Sequence, residues 1–309
     1  MSWPAWLIKP RLAVVLGGGA TAGAFEVGVI DVLARRGIVP DLLVGTSIGA
    51  VNAAFWALNP DSDAGERLLE LWLGSNRSIM FPDGPLPMVG RLLQRKGHLT
   101  TQQGLDRLLR RSLPETATIE SCKVPLAIVA ADADHGRRVV LRTGRLIPAV
   151  LASSAIPGLW PPMEVAGQRL VDGGVVANCD VEAAVEAGMT DVLVVDVMGD
   201  GLHRPAMDVG EVLERSIAAL ARRQTELGVL AFGRAARIAV LRPILAFRPR
   251  FGDFSLTRPL FNAGQEATDA FLARHLGPRG SVRPGWFEYS NAPAQPQPGP
   301  LVSAATLPA

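Results

Sequence analysis

Residues 42–54 read Leu-Leu-Val-Gly-Thr-Ser-Ile-Gly-Ala-Val-Asn-Ala-Ala. An apolar run that breaks at Gly45 and resumes as small residues from about Gly49 predicts a buried strand turning sharply into a helix. Ser47 stands at the apex, inside the pattern Gly-x-Ser-x-Gly. Glycines at 45 and 49 let the backbone fold tightly, so the hydroxyl stands clear at the head of the helix. The N–H groups and positive dipole end there favour negative charge beside the serine. A plain N-cap serine after a strand–helix turn fits the same five residues, so this stretch alone leaves two readings open.

A similar unit precedes it. Arg11 to Leu16 reads as a short buried strand that runs into Gly17-Gly18-Gly19-Ala20-Thr21-Ala22-Gly23. A helix over Ala24 to Arg35 follows, ended by Gly37, and Asp41 to Val44 opens the next strand. This alternation predicts an α/β fold with a mainly parallel central sheet and helices on both faces, a three-layer α/β/α arrangement. Further helices are expected over Ala64 to Leu73, Thr101 to Leu113, Leu146 to Ser154 and Val181 to Ala187. Strands are expected over Val124 to Ala131, Arg138 to Arg142, Met163 to Val165, Gln168 to Val171 and Asp191 to Val197. Asn76 to Val89, rich in Pro, Gly and Met, reads as a surface loop over the mouth of a site, either a lid or an ordinary insertion.

Three glycines can simply supply a tight turn. Gly17, Gly19 and Ala22 also satisfy a loose dinucleotide fingerprint, but that reading needs an acidic residue at the end of the second strand. Here that strand ends in Gly45-Thr46-Ser47, with Asp41 at its beginning. A glycine loop beside Ser47 would instead offer bare N–H donors, as a tetrahedral oxyanion requires. Asp172-Gly173-Gly174 closes a later strand; it suits a carboxylate approached closely, and equally a plain turn.

Composition narrows the field. Among 309 residues, 31 Lys and Arg face 29 Asp and Glu, so nothing argues for a nucleic-acid partner. Two cysteines make no disulfide scaffold and no Cys/His cluster has zinc-ligand spacing, and acyl transfer through a serine would need neither a metal nor an organic cofactor. No apolar run reaches the roughly 18 residues of a membrane span. The segment Met1 to Leu16 carries Lys9 and Arg11 among its apolar residues and lacks the zones of a signal peptide, so a cytoplasmic setting is expected.

Gly17-Gly18-Gly19…Gly23, Gly45-Thr46-Ser47-Ile48-Gly49 and Asp172-Gly173-Gly174, in that order, resemble the patatin-like phospholipase family. The likeness extends from about Arg11 to Val197 and includes Ala152-Ser153-Ser154-Ala155-Ile156-Pro157. It implies a patatin-like fold and a lipid acyl hydrolase with a Ser–Asp dyad. Ser47 would be the nucleophile and Asp172 its general base. The backbone of Gly17, Gly18 and Gly19 would form the oxyanion hole, and Gly45, Gly49, Gly173 and Gly174 would shape the elbow and the dyad. The substrate would be a lipid or small ester. The family usually carries Arg or Lys where this chain has Ala22, which implies tuned or reduced activity.

A Ser-His-Asp hydrolase would need a histidine in reach of the serine. His98, His135, His203 and His275 all read as surface or capping residues, with His203, after a late strand, the best substitute. The resemblance also leaves open an acyltransferase on the same acyl-enzyme and a non-catalytic lipid-binding member of the fold. Phe25, Ile48, Leu159 and Trp160 are candidates for lining an acyl pocket.

The hydrolase domain is expected over 1–275, with its motif core at 11–197 and a helical C-terminal part at 205–275. Val209, Val212, Leu213, Ile217 and Leu220 recur at helical spacing, with Arg215, Arg222 and Arg223 mostly off that stripe. Such a helix packs on the domain with a solvated arginine face, or lies on an anionic membrane as a peripheral contact. Residues 276–309, dense in Pro, Gly, Ala and Ser, read as a loosely ordered tail.

Overall fold

The computed structural model describes residues 10–80, 90–91, 93–94, 96–198, 208–244, 251–277 and 281–290. Its strands are β1 (Leu12–Leu16), β2 (Leu42–Thr46), β3 (Leu126–Asp132), β4 (Arg138–Leu141), β5 (Met163–Val165), β6 (Gln168–Asp172), β7 (Asp191–Val195), β8 (Arg237–Ile244) and β9 (Gly285–Ser290). Between them lie α1 (Gly23–Arg35), α2 (Ile48–Leu58), α3 (Ala64–Leu73), the single turn α4 (Arg77–Met80), α5 (Gln103–Ser112), α6 (Leu146–Ser153), α7 (Val181–Glu186), α8 (Val209–Phe232) and α9 (Thr257–His275). The nine strands form one sheet whose central order is β3-β2-β1-β7-β8-β9, all parallel. Strands β4, β5 and β6 add antiparallel pairs at one side. The fold is the three-layer α/β arrangement that the strand–helix alternation predicts.

Alternation along each strand builds the two outer layers. In β1, Leu12, Val14 and Leu16 face a core shared with α1, α2, α3, α5, α6 and α9. Ala13 and Val15 face the opposite core, shared with α7 and the end of α8. Both faces are buried, so the strand reads as an unbroken apolar run rather than an alternating one.

Register places the site. Strand β3 has two edges, and β4 covers one of them from Ile128 to Ala131. The other edge is therefore shared. Strand β2 pairs with it up to Thr46↔Val129, and β6 takes over from the opposite direction at Asp172↔Ala130. The two strands meet head to head, so the residue that leaves β2 faces the residue that ends β6.

The C-terminal part differs from its predicted form. Arg237–Ile244 and Gly285–Ser290 are strands, so residues 205–275 are not wholly helical and the sheet continues into the stretch read as a tail. Ile238 and Val240 face one core while Ala239 and Leu241 face the other; Phe287 is buried and the Trp286 ring stacks against Arg242 at 4.7 Å. Residues 291–309 and most of the predicted loop over 76–89 lie outside the described residues.

Helix α8 also turns the other way. Ala218, Ala221 and Thr225 face the body, and the apolar stripe at Val209, Val212, Leu213, Ile217 and Leu220 is exposed. Among the described residues no helix is long and apolar enough to cross a membrane.

Helices α1 and α9 pack in close backbone contact. A Cβ on Gly28 would sit 2.1 Å from Phe261 O, and one on Gly264 would sit 2.1 Å from Phe25 O. Gly264→Val should therefore force the helices apart and cost about 2–3 kcal/mol, read as a lower urea midpoint. An unchanged midpoint would show that the two backbones do not meet there.

Candidate active site

Ser47 connects β2 to α2 with φ 56° and ψ −123°, a left-handed conformation for a residue with a side chain. Such backbone persists only where its surroundings hold it, and three contacts do so. The Ser47 N–H donates to Ser153 Oγ at 2.9 Å, and that hydroxyl donates to Val129 O at 2.5 Å. Ser154 Oγ donates to Ser47 O at 3.2 Å. The turn also needs its glycines: a Cβ on Gly49 would lie 2.2 Å from Leu16 O, and one on Gly45 would lie 2.6 Å from Ala50 Cα. The serine side chain makes no capping bond to α2. The simple N-cap reading is therefore not what the hydroxyl does.

Instead, Ser47 Oγ donates to Asp172 Oδ2 at 2.6 Å. Both residues are buried. Gly174 N–H donates to the other carboxylate oxygen at 2.8 Å, and Asp172 N–H donates to Ala155 O at 2.9 Å. Gly173 lets this turn press on the sheet, since a Cβ there would lie 2.4 Å from Val129 O.

The first glycine loop lies against the serine: a Cβ on Gly18 would approach Ser47 Cβ to 3.1 Å and Asn178 Oδ1 to 2.7 Å. Asn178 Nδ2 donates to Gly18 O at 3.3 Å. A planar peptide then turns the Gly19 N–H the opposite way. One predicted donor is occupied elsewhere. The Gly17 N–H donates to Val195 O at 3.2 Å, continuing the parallel ladder. The Gly18 and Gly19 N–H groups have no hydrogen-bond partner among the described residues. Ala20, next in the loop, also has positive φ, at 48°.

Ala22, where the resemblance expects a cation, ends a turn of 3-10 helix and packs half-buried on the core. The loop is tied from behind instead. Asn52 Nδ2 donates to Gly23 O at 3.0 Å and to Glu26 Oε2 at 2.8 Å, and Trp72 Nε1 donates to Asn52 Oδ1 at 3.1 Å. Burial pushes the Glu26 carboxyl well up, against the opposing Asn52 bond.

Ser47 opens onto an apolar cleft. Ile48, Val51, Leu105, Ile156, Trp160 and Phe254 are among its lining residues. Two of the four expected lining residues, Ile48 and Trp160, are there. Phe25 is fully buried in the core behind α1, and Leu159 is not on the wall.

Among the described residues no histidine is hydrogen-bonded to Ser47 or Asp172. His135 lies 2.8 Å from Asp132, and His275 stacks on Phe271 with Nδ1 2.9 Å from Arg283 O. His98 bridges to Gly158, and His203 lies outside the described residues. Among the described residues there is no group of three His, Cys, Asp or Glu able to hold a metal.

With this geometry in place, comparison with known proteins is decisive. The patatin-like phospholipase family model matches residues 14–185, which include both Ser47 and Asp172. The chain belongs to that family. It is 31% identical over 195 residues to lysophospholipase NTE1 of Cryptococcus neoformans, covering 62% of this chain and 11% of that protein. It is 32% identical over 245 residues to an uncharacterised NTE-family protein of Mycobacterium bovis, covering 75% and 40%. A second such M. bovis protein is 30% identical over 229 residues, covering 68% and 59%. The chain thus spans between 11% and 59% of the length of these relatives.

Among solved structures, VipD from Legionella pneumophila aligns over 85% of this chain and 67% of its own, at 14% identity and TM-score 0.42. ExoU in complex with SpcU, from Pseudomonas aeruginosa, aligns over 74% and 53%, at 18% identity and TM-score 0.34.

Sequence reasoning assigned no role to Ser153, Asn178 or the Asn52–Glu26 pair. A glutamate inside the apolar run of α1 was the one signal available for the last.

Burial lifts the Asp172 carboxyl to about 6, against the lowering effect of the Ser47 and Gly174 hydrogen bonds. An unfolded aspartate titrates near 3.9. Below about pH 4 both states are protonated. As pH rises through about 6, the folded state must hold a buried charge that the unfolded chain holds in water. Ionisation therefore removes up to roughly 3 kcal/mol of stability between about pH 4 and pH 6. Asp172→Asn should be more stable than wild type at pH 8 and lose that advantage at pH 4, measured by urea midpoints at both pH values. A variant less stable than wild type at pH 8 would contradict this.

Proposed function

We propose that this patatin-like protein hydrolyses carboxylic esters of lipids through an acyl-enzyme on Ser47, with Asp172 as its general base. The 2.6 Å bond from Ser47 Oγ to Asp172 Oδ2, at the floor of an apolar cleft, is the observation that carries this reading. An acyl chain would lie against Ile48, Val51 and Trp160, with its carbonyl carbon at Ser47 Oγ.

In the first half-reaction Asp172 takes the hydroxyl proton as Oγ forms a bond to the carbonyl carbon. Charge moves to the carbonyl oxygen, where the Gly18 and Gly19 N–H groups and the positive end of α2 would receive it. Gly17 contributes shape rather than a donor, since its N–H belongs to the sheet. The ester C–O bond then breaks, and the departing alcohol takes the proton back from Asp172. Water repeats the sequence against the acyl-enzyme, giving the free acid and restoring Ser47.

A carboxylate is a weak base toward a serine hydroxyl. Its elevated pKa, the helix dipole and the dry surroundings all narrow that gap. The base must be ionised, so kcat/KM should rise with pH through a midpoint near the Asp172 value of about 6.

The family's lipid hydrolases and the lysophospholipase relative point to lipid as the substrate class. Such a substrate sits in an aggregate or membrane, so peripheral contact with a lipid surface belongs to this proposal.

The test is turnover of a short chromogenic ester by wild type, Ser47→Ala and Asp172→Asn, with folding verified. Each substitution should lower kcat by at least about 10³-fold. Near-normal turnover by Asp172→Asn would exclude the dyad.

A further inference from the structure

The peptide between Gly18 and Gly19 has little to hold it. Its neighbours are pinned: the Gly17 N–H donates to Val195 O in the sheet, and the Gly19 carbonyl accepts from Ala22 N–H at 3.0 Å. The peptide plane itself lies between two residues without Cβ atoms, so rotation about the bonds on either side meets little local resistance. A half-turn of that plane would exchange the Gly19 N–H for the Gly18 carbonyl. The first stabilises a developing oxyanion, and the second repels it.

One side chain sets which way the plane faces. Asn178 Nδ2 donates to Gly18 O at 3.3 Å, and among the described residues that peptide makes no other hydrogen bond. The peptide is trans, so holding its carbonyl toward Asn178 turns the Gly19 N–H away from Asn178. The loop leads directly to the cleft, where Ala20 and Thr21 form part of the wall beside Ser47.

Asn178 is built into the site rather than hung on its surface. It is buried, and its amide wedges between the two loops: Oδ1 would lie 2.7 Å from a Cβ on Gly18 and 3.1 Å from one on Gly174. Gly174 is the residue whose N–H bonds the Asp172 carboxylate. From behind, Gln224 of α8 grips the same segment at two points. Its Oε1 accepts from Asn178 N–H at 3.0 Å, and its Nε2 donates to Val175 O at 3.2 Å.

We infer that Asn178, held by Gln224, is a positioning residue for the proposed hydrolysis: its amide locks the Gly18–Gly19 peptide with the Gly19 N–H toward the substrate carbonyl. The inference rests on the ester-hydrolase reading above and names what orients its oxyanion donor. Base and lock then belong to one segment, since Asp172 and Asn178 stand six residues apart on either side of the Gly173-Gly174 turn.

The experiment compares wild type, Asn178→Ala, Asn178→Leu and Gln224→Ala, with folding verified, on a short soluble ester and on a trifluoromethyl ketone of the same acyl chain. The ketone forms an oxyanion without a leaving group. Ser47 Oγ bonds to the carbonyl carbon, its proton passes to Asp172, and the electron pair of the C=O π bond goes to oxygen. Asn178→Ala should lower kcat by at least about 10-fold with KM little changed, and the ketone Ki should rise by the factor that kcat/KM loses. The pH midpoint of kcat/KM should stay near the Asp172 value of about 6. Asn178→Leu, which keeps the bulk of the side chain without its donor, should behave alike. Gln224→Ala, at a half-buried position on α8, should change kcat and Ki in the same directions by a smaller factor. Wild-type kcat in the Asn178 variants would overturn the proposal and leave the hydrolase standing. So would a loss of kcat with Ki unchanged, or a displaced midpoint, because Asn178 would then act through Asp172 or through general packing. If both Asn178 variants unfold, Gln224→Ala decides: parallel changes in kcat and Ki support the lock, and wild-type values refute it. A wild type that neither turns over the ester nor binds the ketone refutes the hydrolase reading and the inference with it.

Discussion

One edge of strand β3 has to serve two strands. Because β4 occupies the opposite edge, β2 and β6 approach each other along the same line and stop at neighbouring residues, Val129 and Ala130. Ser47 and Asp172, 125 positions apart in the chain, are thereby brought within 2.6 Å by the backbone ladder itself. Gly45, Gly49 and Gly173 each remove a Cβ that this approach would not admit. The Val129 carbonyl shows how economical the junction is: it accepts from Ser153 Oγ, which supports the serine turn, and it is the atom that Gly173 is small enough to pass.

The site is held at a cost that the surrounding structure offsets. Ser47 and Ala20 both occupy left-handed backbone, and Asp172 is a buried carboxyl whose ionisation is resisted. Strain of this kind is of order 1–3 kcal/mol per residue and survives where packing dictates it. Here the extensive core on both faces of the sheet supplies that packing. A second buried carboxyl, Glu26, lies behind the glycine loop with one oxygen bonded to Asn52. The loop is thus supported from beneath by Asn52 and from the side by Asn178, at a position where the family's usual cation is replaced by Ala22.

Much of the fold could be read from residue pattern. The segments from Arg11 to Val197 are strongly periodic or bounded by glycines, and apart from the turn α4, which falls where a loop is expected, their elements lie within two residues of the expected positions. Ser47 and Asp172 were nameable because strand ends flanked by glycine are rare enough, in order, to resemble one family. What escaped were the interactions fixed by tertiary arrangement. Nothing local indicates that Ser153 supports a serine turn 106 positions earlier, or that the Gly17 N–H belongs to the sheet while those of Gly18 and Gly19 do not. Strand β8 is short of strand signals because Pro243 and two arginines interrupt it, and β9 is hidden among Pro and Gly. Helix α8 inverted the usual rule. Its small residues Ala218 and Ala221 permit close approach to the body, so the large apolar side chains are left outside.

The central claim is that Asp172 activates Ser47. Reaction with a fluorophosphonate, followed by intact mass, tests it directly, because the hydroxyl must lose its proton as phosphorus is attacked and fluoride leaves. The account predicts one adduct on Ser47, a labelling rate that rises with pH through a midpoint near 6, and a large, pH-independent loss of rate in Asp172→Asn. A rate indifferent to Asp172, or an adduct on any residue other than Ser47, would contradict it.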